Sequence, residues 1–252
     1  PTGYVFITVF IFLSAAAAFW QDRFFADNLA NLNTLNRLFP LLLLFLVPAI
    51  SMNAWADERR QGVDELLLTL PTKDLELVAG KYLAAVGIYT VALLFSVSHV
   101  FVLAWLGRPD AGLMLSNYFA YWLLGAALLA VGMVGSALTD NLTVGFIFGA
   151  ALCAVPVFLD KAGALVGGRL GDGIETLGAV PQFEEMTSGV VSLAAVLYFA
   201  SIAGSMLFLN YMLVGRRRWR VPFFGAHAAG RAFAAAVGAG ALVILAGRMP
   251  VR

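Results

Sequence analysis

Asp57, Glu58, Arg59, Arg60, Asp64, Glu65, Lys73, Asp74, Glu76 and Lys81 crowd ten charged side chains between two apolar runs, each long enough to cross a bilayer. Carboxylates and cations interleaved this densely pair with one another or with a complementary surface. A short polar turn would suffice to join two membrane spans, so the block reads as a contact surface. The chemistry missing around it is equally informative. A chain that cradles nucleotide phosphates itself needs G-x-x-x-x-G-K-[ST]. The only Gly-Lys pair, Gly80-Lys81, has Leu75 five residues before the glycine and Tyr82 after the lysine. No G-x-S-x-G nucleophile elbow occurs. Gly168-Arg169-Leu170-Gly171-Asp172 has the wrong spacing for a paired-aspartate intramembrane protease, and no second aspartate inside a span completes an acid–base dyad. Neither His99 nor His227 has companions at metal-ligand spacing, so no metal site is expected and His99 reads as a hydrogen-bonded packing residue. The single cysteine, Cys153, excludes an internal disulfide framework and reads as a small buried hydrophobe. Catalysis within this chain is not expected.

The elements that must position the block are set by composition. The 252 residues are 61% hydrophobic and 12% charged, with mean hydropathy +0.87, whereas soluble domains carry about 25% charged residues. Such a chain belongs in a bilayer, as an all-α polytopic membrane protein. Hydrocarbon offers no partner to backbone N–H and C=O groups, and uninterrupted apolar runs, unlike alternating strands, satisfy those groups as helices. A span needs roughly 20 apolar residues. Six runs qualify: Tyr4–Trp20, Leu38–Ala56, Tyr82–Leu106, Tyr118–Leu138, Leu142–Leu159 and Val190–Val214. A seventh, Ala232–Ala246, is shorter, rich in Ala and Gly, and flanked by Arg231 and Arg248. Pro40 falls in the first turn of the second span, while Pro48 and Pro156 lie deeper and are expected to bend their helices. Gly145 and Gly149 form a small-xxx-small pair, which serves either packing within the chain or a subunit interface.

Lysines and arginines in the connections set the orientation. The side holding Asp57–Lys81, Thr139–Asn141 and Gly215–Arg231 carries nine, against five on the other, or seven with Arg248 and Arg252. The run Arg216-Arg217-Arg218-Trp219-Arg220 is a strong local anchor. The block is therefore expected in the cytoplasm, with the N-terminus inside and Arg252 outside. A net charge of +1 points to no nucleic-acid partner; membrane lipids are the surroundings. The opening PTGYVFITVF, without Met or a basic flank, reads as the interior of a longer protein, and the stop at Arg252 as a truncation. The segment Asp160–Gly189 reads as an acidic outer cap, within which LGAVPQFEEMTSGVVS can form a short helix. The spans hold almost no charge, which disfavours an ion-driven carrier.

Inside the block, Val63, Leu66, Leu67 and Leu70 recur at i, i+3, i+4 and i+7, the stripe of an amphipathic helix. Pro71 stops that helix and Thr72 caps the next, whose first turn holds Asp74 and Glu76 where the helix dipole favours carboxylates. The expectation is a surface helix over Asp57–Pro71, a turn, and a helix that becomes the third span. Its mixed, mostly acidic polar face suits a protein surface better than anionic lipid.

Glu58-Arg59-Arg60-Gln61-Gly62, then Glu65-Leu66-Leu67-Leu68-Thr69-Leu70-Pro71, then Val78-Ala79-Gly80-Lys81, resembles the E-x-x-x-G-T-x-E-x-L-L-x-x-P…G-K signature of type-2 ABC transporter permeases, and within them the gliding-motility-type branch. Val63 stands where that family usually has Thr, which affects any hydroxyl cap there but not a docking surface. The opening PTGYVFITVFIFLS resembles that branch's first span, Gly107-Arg108-Pro109-Asp110 its external turn, and Ser136-Ala137-Leu138-Thr139-Asp140-Asn141 the turn between its fourth and fifth spans. The resemblance covers residues 1–219 and implies a six-helix permease domain there. Residues 220–252, with the seventh span, resemble the start of the auxiliary subunit that accompanies this branch, which implies a fusion leading to an extracytoplasmic region. It further implies a cytoplasmic ABC ATPase dimer that binds ATP and Mg, a second permease subunit, identical or related, and an extracytoplasmic auxiliary protein or fused domain. The residues it assigns to ATPase coupling are Glu58, Arg59, Gly62, Glu65, Leu66, Leu67, Leu70, Pro71, Gly80 and Lys81. The function the resemblance implies is export driven by that ATPase, in a bacterial inner membrane. Alternatives are a non-transporting component that transmits force to an outer partner, or a secondary carrier.

Overall fold

The computed structural model describes residues 2–19, 32–63 and 74–218. These form ten helices: α1 (Thr2–Phe19), α2 (Asn33–Ser51), α3 (Ala56–Arg60), α4 (Asp74–Ser96), α5 (Ser98–Leu106), α6 (Ala111–Ala137), α7 (Leu142–Val166), α8 (Gly168–Thr176), α9 (Ala179–Thr187) and α10 (Leu193–Arg218). No strand occurs among the described residues. Five helical stretches are long and apolar enough to cross a membrane, and α1 is a shorter apolar helix. The chain is an all-α polytopic bundle. The seventh run, Ala232–Ala246, and the rest of 220–252 lie outside the described residues.

Helix α6 is the axle. It packs against α2, α4, α7, α9 and α10, and nearly all of it is buried. In lipid the driving force is close packing and interhelical hydrogen bonding, since surrounding tails are as apolar as the side chains. Glycine supplies the close approaches. A Cβ on Gly125 would fall 2.2 Å from the Tyr89 ring, one on Gly132 2.3 Å from Ser51 Oγ, and one on Gly135 2.4 Å from Gly149 N. Among the hydrogen bonds, Tyr89 donates to the Tyr121 carbonyl (2.7 Å) and Asn210 to that of Ala130 (3.2 Å). An aromatic core joins the helices: Phe39 stacks on Tyr121 at 3.9 Å between centroids and on Phe183 at 6.1 Å, while Phe10 meets Phe39 and Tyr89 edge-on. Cys153 is a buried free thiol.

The boundaries follow local chemistry. Asp110 Oδ1 accepts from Gly112 N (2.8 Å) and Leu113 N (3.1 Å) and so starts α6. Asn141 Oδ1 starts α7 in the same way, from Thr143 N and Val144 N. The fifth span runs on to Val166, past the expected Leu159, and the sixth opens at Leu193.

The third span departs from expectation. Rather than one helix over Tyr82–Leu106, it breaks at Val97 between α4 and α5. Ser96 Oγ donates back to the Leu93 carbonyl (2.8 Å), Tyr118 donates its hydroxyl to the Ser96 carbonyl (2.6 Å), and Val100 N–H turns to Val97 O (2.9 Å). Side chains inserted into the backbone ladder are a recognised cause of helix kinks.

The expected acidic cap over Asp160–Gly189 is solvated only in part: Asp172, Glu175, Glu184 and Glu185 are exposed, but the segment also packs into the bundle, and the short helix expected within LGAVPQFEEMTSGVVS forms. The segment completes α7 and then forms α8 and α9, with Phe183 and Met186 fully buried in the core. Tyr198 donates to the Leu177 carbonyl (2.7 Å) and Ser116 to that of Met186, tying the segment to α10 and α6.

Candidate functional site

The ends of α2 and α6 and the starts of α3, α4 and α7 meet at one end of the bundle. Ser136, near the end of α6, organises the junction. Its Oγ accepts from Trp55 N (3.0 Å) and Ala56 N (3.1 Å) and donates to the Met52 carbonyl (2.7 Å). Helix α3 has no capping side chain of its own, so Ser136 serves as a cap supplied by another helix, filling orphan donors at the α3 start.

Arg59 locks the other side. Its guanidinium donates to the carbonyls of Thr139 (3.1 Å) and Ala137, at and just beyond the α6 C-terminus. Those carbonyls lack helical partners and carry the negative end of the α6 dipole, a favourable place for a cation.

Lys81 closes the assembly from α4. Its ammonium is paired with Glu58, donates to the Ala54 carbonyl and sits 4.5 Å from the centroid of the Trp55 ring. The lysine side chain is only 16% exposed and that of Glu58 30%. Partial burial and three simultaneous contacts set this pair apart from ordinary surface bridges, which contribute about 0–1 kcal/mol. Residues 23 apart in sequence are thereby joined.

The expected continuous helix over Asp57–Pro71 is not formed. Helix α3 ends at Arg60, and Gly62 follows with φ +69°. Gly62 N–H bonds Arg59 O (3.0 Å) and Val63 N–H bonds Glu58 O (3.0 Å). These two bonds make a Schellman stop, for which a left-handed glycine is the usual residue. Val63 thus falls beyond the helix it was expected to share with the leucines. Glu65, Leu66, Leu67, Leu70, Pro71 and Thr72 lie outside the described residues. Asp74 and Glu76 do occupy the first turn of α4.

Of the remaining candidates, Gly80 is exposed, and a Cβ there would meet nothing within 4 Å. Gly145 and Gly149 are buried against the same chain. A Cβ on Gly145 would lie 3.6 Å from Ala56 Cβ, and one on Gly149 3.3 Å from Pro48 Cβ. The small-residue pair and the charged block are therefore neighbours in one structure. Sequence reasoning had not connected Ser136, Trp55 or Thr139 with the block; a lone hydroxyl, Ser136, closing an apolar span was the available signal.

Beneath the junction, Trp55, Val78, Met133, Ala137 and Val214 form a separate apolar cluster, which brings α10 to the same end. Arg60, Gln61, Gly62, Val63, Leu75, Glu76 and Gly80 stand exposed around it. No group of three metal-ligating side chains occurs among the described residues. The arrangement holds a rigid, mixed-polarity knob on the end of a helical bundle.

The family model described as ABC-2 family transporter protein matches residues 24–210. The chain belongs to that family. No curated protein and no solved structure matches it. As an ABC-2 family member it is a multi-pass membrane protein of the ABC permease type, and membership implies partnership with an ABC ATPase. The match spans the junction and every helix from α2 to α9, with most of α10.

Proposed function

We propose that the chain is the membrane-spanning permease subunit of an ATP-driven exporter, and that the α3–α4 junction is where it grips its ATPase. A separate cytoplasmic ATPase dimer would bind ATP and Mg, and a second permease subunit would complete the transporter. The junction end would then face the cytoplasm. The observation that supports this reading best is the Glu58–Lys81 pair. It fastens both ends of the charged block to the bundle and leaves Arg60, Val63 and Glu76 exposed around it.

In physical terms, closure of the ATPase dimer would bias a two-state bundle by differential contact with this knob. Arg59 and Ser136 would pass the bias to α6, the helix on which the others pack. The test is co-purification of the ATPase from native membranes. Glu58→Lys, Leu66→Asp and the exposed pair Arg60→Glu with Val63→Asp should each release it from a permease that stays monodisperse in detergent. Retention by all three would refute the docking assignment.

A second reading, in which the same motor transmits force to an outer partner, is favoured by α9. Its Phe183 stacks on Phe39 of α2 and Tyr121 of α6, so motion of those helices would reach the outer segment. ATPase activity raised by an outer protein and indifferent to any cargo would favour it. The gliding-motility branch and the fused auxiliary region belong to this proposal too, and a pull-down that recovers an outer protein would support them.

A further inference from the structure

An apolar groove opens laterally where α4 and α5 diverge from the first half of α6. It is open to the side and offers about 450 Å³, within the size range of apolar ligand sites. Pro109 and Ala111 lie at the α6 N-terminal end of its lining and Trp122 at the other, with Leu94, Val97 and Leu115 also lining it; Leu94, Leu115 and Trp122 are exposed. The break at Val97 is among the residues that shape it.

We propose that this groove holds one acyl chain of an anionic phospholipid, with the headgroup at Arg108. Three observations carry the assignment. First, the polar side-chain atoms in the lining are already engaged. Thr90 donates to the Val86 carbonyl (2.7 Å), Tyr118 to that of Ser96 (2.6 Å), and Trp122 Nε1 to Thr90 Oγ1 (3.0 Å). The walls therefore call for an apolar occupant.

Second, the dimensions fit a single chain from one leaflet. Ala111 to Trp122 along α6 spans roughly 17 Å at 1.5 Å per residue, about half of a hydrocarbon core roughly 30 Å thick.

Third, the charges at the rim are complementary to an anionic head. Arg108 is exposed and, among the described residues, makes no hydrogen bond or ion pair, while the exposed carboxylate of neighbouring Asp110 turns Oδ1 to the first N–H groups of α6, where the helix dipole offsets part of its negative charge. Arg108 thus presents a cation one residue from Pro109, at the end of the bundle opposite the Glu58–Lys81 junction. This assignment depends only on the chain's spanning a membrane. It stands whether or not an ATPase docks.

The test reconstitutes the full chain in nanodiscs containing phosphatidylglycerol with a photoactivatable diazirine on one acyl chain, and maps labelled residues by mass spectrometry. Labelling should concentrate on Leu94, Leu115 and Trp122 over Leu165, which is 89% exposed but outside the groove. Arg108→Gln should lower groove labelling roughly fivefold, the effect of removing one cation from an anionic lipid. Arg108→Lys should restore it. Ala111→Trp, which blocks the exposed rim, should abolish it. Equal labelling of Leu165 and the groove would overturn the proposal. So would labelling indifferent to Arg108→Gln, or efficient disulfide trapping between two copies bearing Leu115→Cys.

Discussion

At the residue scale, Lys81 and Glu58 differ in how much each holds. Lys81 contacts a carboxylate, a backbone carbonyl and an indole face, whereas the Glu58 carboxylate has Lys81 as its one partner among the described residues. Lys81→Met should therefore lower stability by about 2 kcal/mol and Glu58→Gln by about 1 kcal/mol. A double-mutant cycle should return a coupling of about 1 kcal/mol. Thermal unfolding in detergent measures all three, and equal losses for the two single variants would show that the carbonyl and ring contacts contribute nothing. Gly62 gives a second residue-level prediction. At φ +69° a Cβ is strained though nothing crowds it, so Gly62→Ala should cost about 1 kcal/mol through backbone conformation alone. Gly62→Asn should recover part of that, because Asn tolerates the left-handed region. Stability unchanged in Gly62→Ala would contradict the Schellman stop.

At the element scale, the glycines divide by what lies opposite them. Gly135→Ala would force a methyl into the backbone of α7 at Gly149. It should destabilise by about 1–3 kcal/mol, the usual cost of overpacking. Gly80→Ala and Gly204→Ala put a methyl into open space on a helix and should stabilise by about 0.5–1 kcal/mol. Gly80→Ala carries a second readout. If it leaves the bundle intact but weakens ATPase binding, that glycine serves the partner surface; unaltered binding would remove it from the docking residues. This contrast also marks what was legible in the chain beforehand. The spans could be read because hydrocarbon forces apolar runs into helices, whatever they pack against. The stop at Gly62 could not be read from the leucine stripe, since periodicity reports which face is apolar and not where a left-handed residue interrupts it. The break at Val97 depends on Tyr118, twenty-one residues further on. Burial of α9 depends on Phe39 and Tyr121 of other helices. The motif marked Glu58, Arg59 and Lys81, but only packing reveals that Ser136 is the fourth member of their group.

At the scale of the whole molecule, the question is whether the junction merely holds a partner or also moves the bundle. Ser136 separates the two. Its hydroxyl faces inward, served by Trp55, Ala56 and Met52, and it is fully buried. The exposed knob contains none of its atoms. Ser136→Ala leaves the Trp55 and Ala56 N–H groups without their acceptor and the α2–α3 corner loosened from α6, at a cost of about 1–3 kcal/mol. Contact with the ATPase, which we assign to outward-facing residues, should survive. Transmission to α6, and through it to α7, α9 and α10, should weaken. The measurement is maleimide labelling of Leu165→Cys at the far end of α7, with and without ATP, in complexes that retain the ATPase. The parent complex should show a nucleotide-dependent change, and the Ser136→Ala complex a smaller one at equal ATPase content. Loss of the ATPase itself would mean that Ser136 builds the dock. An undiminished change would mean that force enters the bundle elsewhere, through α4 and Lys81 instead of α6.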